Sequence, residues 1–177
     1  QVRDVSGRVL LIDEVDVFFG RRFYGQIWYG GFKLDSTEAA NLVRFIFDQK
    51  RLGQAVTDIE SATCFTDFLQ RSPAEMRHAL TGIAHALVRN IEDWSKPEPF
   101  LDAEGGRVGY KENEEVNYDL SHSNKTQFAY LNFEMDGKLT SQQVARHIGV
   151  DIVCGRFSFA EIPKDYRCIL GVTGTLT

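Results

Sequence analysis

Residues 8–16 read RVLLIDEVD, an apolar run that ends in a group of carboxylates. The apolar residues 9–12 are consecutive and do not alternate with polar residues. This pattern is typical of a parallel strand that is buried on both faces. Open α/β sheets bind ligands at the carboxyl ends of their parallel strands. The stretch therefore predicts a buried strand that presents Asp13, Glu14 and Asp16 at one edge of a sheet.

A second run of this kind lies at the other end of the chain. Residues 169–175 read ILGVTGT, so this apolar run ends in Thr173, Gly174 and Thr175. Both runs indicate parallel strands, and we expect them to lie side by side with their polar ends together. Almost the whole sequence lies between the two runs, which predicts a large insertion between neighbouring strands.

The polar residues at these two strand ends suit a nucleotide-hydrolysis site. Mg²⁺ takes oxygen ligands, commonly one or two carboxylates with phosphate and water, and Asp13 is the candidate ligand. Glu14 is the candidate to orient or activate the attacking water. We expect Thr173 or Thr175 to hydrogen-bond the carboxylate of Asp13 or Glu14. The candidate nucleotide-binding residues are Asp16, Thr173, Gly174 and Thr175. Acidic residues also end many strands that have no such role, and this alternative stays open.

One part of a nucleotide site does not occur in the sequence. No GxxxxGK[ST] motif is present, and this is the loop that cradles phosphates and supplies a lysine. Since phosphoryl transfer depends on complete positioning and charge stabilisation, we expect the isolated chain to be inactive and to hold no cofactor. We expect Mg-ATP to be used only in a larger parent protein, of which this chain is a segment. The residue at position 1 is Gln1, which agrees with that expectation.

The residues between the two runs predict an insertion of helices and short strands. Asp35 and Glu38 are spaced as a capping box, and Ser72 before Pro73 indicates another helix start. Prolines within residues 96–99 interrupt the helical pattern. Further helices are predicted over 56–69, 125–133 and 140–147, and strands over 107–111, 116–118, 152–154 and 168–170. The predicted fold class is α+β: a motif strand with its connection over 1–34, a helical part over 35–95, a mixed α/β part over 96–165, and a final strand over 166–177.

Aromatic and glycine residues are concentrated after the first strand. Tyr24, Trp28, Tyr29 and Phe32 lie there, with three glycines among them. One interpretation is a surface that binds a substrate. The other is a loop whose aromatic rings fill the core.

The composition narrows the classes of function. The net charge is −5, whereas nucleic-acid-binding domains usually carry a basic surface, so nucleic acid is not the favoured partner. No apolar run is long enough to cross a membrane as a helix. The three cysteines include no CxxC pair, so neither a disulfide framework nor a zinc site is indicated. We expect a cytoplasmic protein.

The two terminal motifs resemble those of a known family. Residues 11–16, LIDEVD, look like the Walker B strand, or motif II, of a helicase-type ATPase, and resemble the Asp-Glu-Val-Asp motif of the SecA preprotein-translocase ATPases. Residues 169–175 resemble motif III, the Met-Thr-Gly-Thr motif of SecA. Phe157 and Phe159 lie where SecA has an aromatic-containing segment. SecA continues after its acidic motif with Asp-Glu-Ala-Arg-Thr-Pro, whereas residues 17–22 here read VFFGRR.

The resemblance implies two strands of a RecA-like ATPase core that flank a domain like the preprotein cross-linking domain of SecA. Asp13 and Glu14 would then contribute to Mg-ATP hydrolysis in the intact protein, and the insertion would contact a polypeptide in protein transport. The implied partners are the remainder of the parent ATPase and the polypeptide. A second copy of the chain, paired through exposed strand edges, is another expected partner. A segment of a DEAD-like nucleic-acid helicase and a non-catalytic protein-interaction module remain alternatives.

Overall fold

A computed structural model describes residues 7–20, 23–56, 58–102, 104–112 and 114–174. The α-helices are α1 (Val15–Phe18), α2 (Thr37–Arg51), α3 (Thr63–Arg71), α4 (Arg77–Asn90), α5 (Asn124–Met135) and α6 (Ser141–Ala145). The strands are β1 (Val9–Asp13), β2 (Ile27–Leu34), β3 (Pro99–Asp102), β4 (Arg107–Glu112), β5 (Glu115–Asn117), β6 (Val150–Ser158) and β7 (Cys168–Val172). This mixture of helices with small sheets is compatible with the α+β class.

The chain forms two compact units. We call Gln1–Phe32 together with Val153–Thr177 the terminal unit, and Lys33–Ile152 the insertion unit. The predicted helical part over 35–95 and the larger portion of the predicted mixed part over 96–165 both lie in the insertion unit. Its continuous core is therefore built by helices and strands together.

The terminal unit contains the two strands predicted from the first and last apolar runs of the sequence. β1 and β7 pair in parallel, with Val9 opposite Cys168 and Asp13 opposite Val172, so the predicted pairing is confirmed. The prediction that both faces are buried is wrong. Ile12 is buried, but Leu11 is 74% exposed and Val172 is 67% exposed. Two strands with one covered face leave alternate side chains in solvent.

A second two-stranded sheet pairs β2 with β6. Both strands pass from one unit to the other, because the division falls after Phe32 on β2 and before Val153 on β6. The sequence does not predict β2, since Gly30 and Gly31 interrupt it and glycine is depleted in strands.

The core of the insertion unit lies among α2, α3, α4 and α5. The side chains of Leu42 on α2, Leu80 on α4 and Phe128 on α5 are fully buried there. β3, β4 and β5 form an antiparallel sheet in which Phe100 lies opposite Gly109. β3 is not predicted, because it begins at a proline in a segment that reads as a break.

Helix starts differ from the predicted ones in three places. The helix predicted over 56–69 begins only at Thr63, as α3, because the extended backbone of Ala62 separates it from a 3₁₀ turn over Ile59–Ser61. Ser36, not Asp35, caps α2: its Oγ accepts a hydrogen bond from the Ala39 N–H at 3.2 Å. Ser72 does not cap α4, because its hydroxyl donates to the Phe68 carbonyl at 2.8 Å and so belongs to the end of α3. A 3₁₀ turn over Ala74–Met76 precedes α4.

The helix predicted to open at Thr140 is confirmed as α6, with a capping box formed by Thr140 and Gln143.

Candidate functional site

The carboxyl ends of β1 and β7 lie at one edge of their sheet. β1 ends at Asp13, β7 ends at Val172, and these two residues are partners in the register. Thr173 follows directly, so the residues predicted from the two ends of the sequence are brought to one place. The parallel direction of the strands causes this, since parallel strands have their carboxyl ends at a common edge.

Asp16 and Thr173 join the two motifs directly. The Thr173 hydroxyl donates a hydrogen bond of 2.7 Å to Asp16 Oδ1. This hydrogen bond lowers the pKa of the Asp16 carboxyl below its ordinary value, because it stabilises the charged form. The sequence predicts Asp13 or Glu14 as the acceptor, whereas this bond goes to Asp16, on the first turn of α1.

Glu14 turns the chain from β1 into α1. Its backbone is left-handed, with φ 52° and ψ 54°, and its N–H donates to Asp13 Oδ1 at 3.0 Å. A left-handed glutamate is uncommon, and such conformations are often found at functional sites. The turn leaves the side chains of Asp13 and Glu14 both exposed.

Gly171 allows α1 to lie close to β7. A Cβ built on Gly171 would lie 2.6 Å from Val15 Cβ, a separation that real Cβ atoms essentially never show. This residue is part of the site but was not predicted to be. The signal that could have found it is a glycine inside an apolar strand run.

The carboxylates suit part of a magnesium site. Among the described residues, no group of three or more His, Cys, Asp or Glu side chains could hold a metal ion. Mg²⁺ commonly takes only one or two protein carboxylates, with phosphate oxygens and water completing the octahedron. Asp13, exposed and at the strand end, fits that limited role. Gly174 follows Thr173 at the same edge, and the predicted site residue Thr175 lies outside the described residues.

A cluster of aromatic side chains forms a second candidate site in the terminal unit. Phe159 is at its centre, with ring centroids 5.0 Å from Phe23, 5.5 Å from Phe157 and 6.0 Å from Trp28. We call the following residues the aromatic cluster: Phe18, Phe19, Phe23, Tyr24, Trp28, Phe157 and Phe159.

The predicted substrate-binding residues divide between this cluster and its surroundings. Tyr24 and Trp28 are members. Phe32 lies on the same side of β2 as Trp28 by strand alternation, and Tyr29 lies on the other. All four are exposed, by 40% for Tyr24, 42% for Trp28, 64% for Tyr29 and 49% for Phe32. The interpretation that these rings fill the core is therefore wrong.

Exposed apolar side chains are concentrated in the terminal unit. Within the described part of the insertion unit, Leu52 and Met135 are the only large apolar side chains that are exposed. The exposed rings of the aromatic cluster contact one another, and a contiguous exposed apolar patch commonly marks a place where another molecule binds.

The described residues thus offer a carboxylate edge and an aromatic cluster, both in the terminal unit. Among these residues, no helix has the length and apolar character needed to cross a membrane. Comparison with known proteins found no family model, no curated protein and no solved structure that matches this chain.

Proposed function

We propose that this chain is a segment of a SecA-like motor ATPase. In this proposal β1 and β7 are neighbouring strands of a RecA-like core, and Asp13 and Glu14 contribute to Mg-ATP hydrolysis in the intact protein. The aromatic cluster contacts an extended polypeptide. The observation that carries the proposal is the parallel pairing of β1 with β7, which joins motifs from opposite ends of the sequence.

The nucleotide half of the proposal is supported by the arrangement at the strand ends. Asp13 would hold the magnesium ion, which neutralises charge on the phosphates when Mg-ATP is bound. Glu14 would orient the attacking water. The hydrogen bond from Thr173 to Asp16 links the second motif to the first, so a displacement of either strand end would be transmitted to the other.

The exposed face of the β1–β7 sheet supports the idea of a larger parent. Leu11 and Val172 are apolar and exposed, and a parallel sheet normally has both faces covered. Further strands and helices of a RecA-like core would cover these side chains. The remainder of the parent ATPase is therefore the first partner that we propose.

The polypeptide half of the proposal is supported by the aromatic cluster and by the two-stranded β2–β6 sheet, which we call the β2–β6 ribbon. Exposed rings give apolar contact with little sequence specificity, as a protein that handles many polypeptides requires. Within the described part of the chain, β2 and β6 form a two-stranded sheet, and an extended peptide can add to the edge of such a sheet through backbone hydrogen bonds.

The second candidate is a segment of a nucleic-acid helicase. The exposed rings favour it as well, because nucleic-acid bases stack on aromatic side chains. The net charge of −5 counts against it, since a groove for single strands is normally basic.

The two candidates are distinguished by a binding titration that uses Trp28 as the reporter. The chain has two tryptophans. In a Trp94→Phe background, Trp28 is therefore the single source of tryptophan fluorescence. We expect an unfolded model polypeptide to change this fluorescence, with little dependence on salt. Single-stranded oligonucleotide binding that weakens steeply with salt, with no response to the polypeptide, would overturn the proposal.

Matched serine variants localise the binding. Phe157→Ser removes an exposed ring of the aromatic cluster, and we expect the Kd for the polypeptide to rise roughly fivefold to thirtyfold, the range for a residue that contributes 1–2 kcal/mol. Leu52→Ser removes an exposed apolar side chain of the insertion unit and should leave the Kd unchanged. Equal effects of the two substitutions would show that the cluster has no special role.

A further inference from the structure

We propose that His147 is a pH-sensitive latch inside the insertion unit. In its neutral form it holds the turn between α6 and β6 against the end of β2 and the start of β6, and its protonation loosens this turn. The observations behind the proposal involve neither the nucleotide site nor the aromatic cluster.

The imidazole ring of His147 lies flat on a fixed platform. It stacks on the ring of Tyr130 with the centroids 3.9 Å apart and the planes 5° from parallel. Tyr130 is buried, and its hydroxyl accepts a hydrogen bond of 3.0 Å from the Val108 N–H. Tyr130 therefore connects α5 to β4, and the stacked ring of His147 has a well-defined position.

A neighbouring arginine requires the ring to be neutral. Arg146 Nε donates a hydrogen bond of 3.2 Å to His147 Nε2. A ring nitrogen accepts a hydrogen bond only when it carries no proton, and both nitrogens of a charged imidazole are donors. Protonation would therefore place two donors against each other and two positive charges side by side.

The backbone of His147 is tied to both strands of the ribbon. Its carbonyl accepts a hydrogen bond of 3.2 Å from Lys33 Nζ on β2. The same Lys33 ammonium pairs with Asp151 Oδ1 on β6 at 2.9 Å. Asp151 also accepts from Gln127 Nε2, and Gln127 Oε1 accepts from the Gly149 N–H at 2.8 Å. A displacement of His147 thus disturbs the contacts that anchor the ribbon.

Burial and two neighbouring positive charges lower the pKa of His147. Burial is the main cause that holds the pKa of His147 below its ordinary value, and the positive charges of Arg146 and Lys33 add to it. The face of Tyr130 attracts a cation weakly and opposes this, and the Asp151 carboxylate, which is paired with Lys33, offsets part of the Lys33 charge.

The sign of the pH effect follows from this direction. Because the pKa is lower in the folded state, the unfolded chain takes up the proton first as pH falls below about 6.5. The stability that neutral His147 contributes is complete above this pH. It is lost progressively as the pH falls towards the pKa of the folded state.

A titration of the histidine ring signals by NMR tests the electrostatic part. We expect the midpoint of His147 in the folded chain to lie below its midpoint in the same chain unfolded in urea. Arg146→Gln removes one of the two neighbouring charges and should raise the folded midpoint towards the unfolded one. A folded midpoint equal to or above the unfolded midpoint overturns the proposal.

Amide hydrogen exchange tests the loosening itself. Between about pH 8 and pH 5, the range in which histidine titrates, we expect the Gly149 amide to lose protection after correction for intrinsic rates. His147→Gln should abolish this pH dependence. His122→Gln is the matched control, because burial also lowers the pKa of His122, and this variant should retain the loss. The proposal is overturned if the pH dependence of Gly149 protection is unchanged in His147→Gln and is also unchanged in Arg146→Gln.

Discussion

At the scale of single residues, a glycine determines how closely α1 approaches β7. A Cβ on Gly171 would overlap the Val15 side chain, at 2.6 Å from both Cβ and Cγ2. Val15 lies between Glu14 and Asp16, so the same close approach positions the candidate site residues on either side of it. The glycine is needed for its lack of volume, and no positive φ is involved.

We expect Gly171→Ala to destabilise the chain by about 1–3 kcal/mol, the usual cost of overpacking. Urea unfolding measures this. Val15→Ala in the same chain should restore part of the loss, because it removes the clashing Cγ2 atom, whereas the contact with Val15 Cβ remains. Gly174→Ala is the control: nothing lies within 4 Å of its Cβ position, and it shares the entropic effect of replacing glycine. Equal stability of the two alanine variants would contradict the packing argument.

The sequence predicted that the two strand ends meet, but not that Thr173 would bond Asp16, nor how the backbone brings these residues together. Two apolar runs ending in polar residues were sufficient to place Asp13 and Thr173 at one sheet edge. The left-handed backbone of Glu14 and the contact of Gly171 with Val15 depend on distances between elements, and local patterns carry no such information.

At the scale of elements, the start of α2 shows why boundaries are hard to predict. Asp35, Ser36 and Thr37 are three consecutive residues whose side chains are all able to cap a helix. The extended backbone of Ser36, with φ −62° and ψ 157°, decides which one does. The pattern therefore predicts the helix correctly and misses its cap by one residue.

We expect Ser36→Ala to destabilise the insertion unit by about 0.5–2 kcal/mol, because the Ala39 N–H loses its side-chain acceptor. Asp35→Ala, at the neighbouring exposed position, should change the stability by less than about 0.5 kcal/mol. Urea unfolding followed by far-UV circular dichroism compares the two. A larger loss for Asp35→Ala would show that the capping box predicted from the sequence is the one that forms.

The strands show a second limit. The short strands β4 and β5 and the terminal strands were predicted from runs of apolar or β-branched residues. β2 was not, because Gly30 and Gly31 lower its local strand propensity. Its pairing with β6 joins distant parts of the sequence, and no local pattern reports such a partner.

At the scale of the whole molecule, the two units differ in how completely they cover their own apolar residues. The insertion unit has a continuous core that includes Leu42, Leu80 and Tyr110, all fully buried. Among its described residues, the terminal unit leaves most large apolar side chains exposed, including Leu11 and Tyr29. The insertion unit therefore has the interior that an independently stable domain requires.

We expect residues 33–152 to fold when they are produced alone, with one cooperative urea transition. Leu80→Ala should lower the stability of this shortened chain and of the full chain by a similar amount, about 2–5 kcal/mol for a buried leucine. A shortened chain that shows helical circular dichroism but no cooperative transition would contradict this expectation.

The pairing of β2 with β6 also has a consequence for how the insertion unit is acquired in evolution. Lys33 and Ile152, the first and last residues of the insertion unit, lie on strands that are hydrogen-bonded to each other. A domain with neighbouring ends can be acquired by one event that opens a turn of an older protein, with no other change to the host. In the reverse direction, the same geometry makes the domain suitable for grafting into a foreign hairpin. In the host structure, the grafted domain would simply replace the turn between two strands.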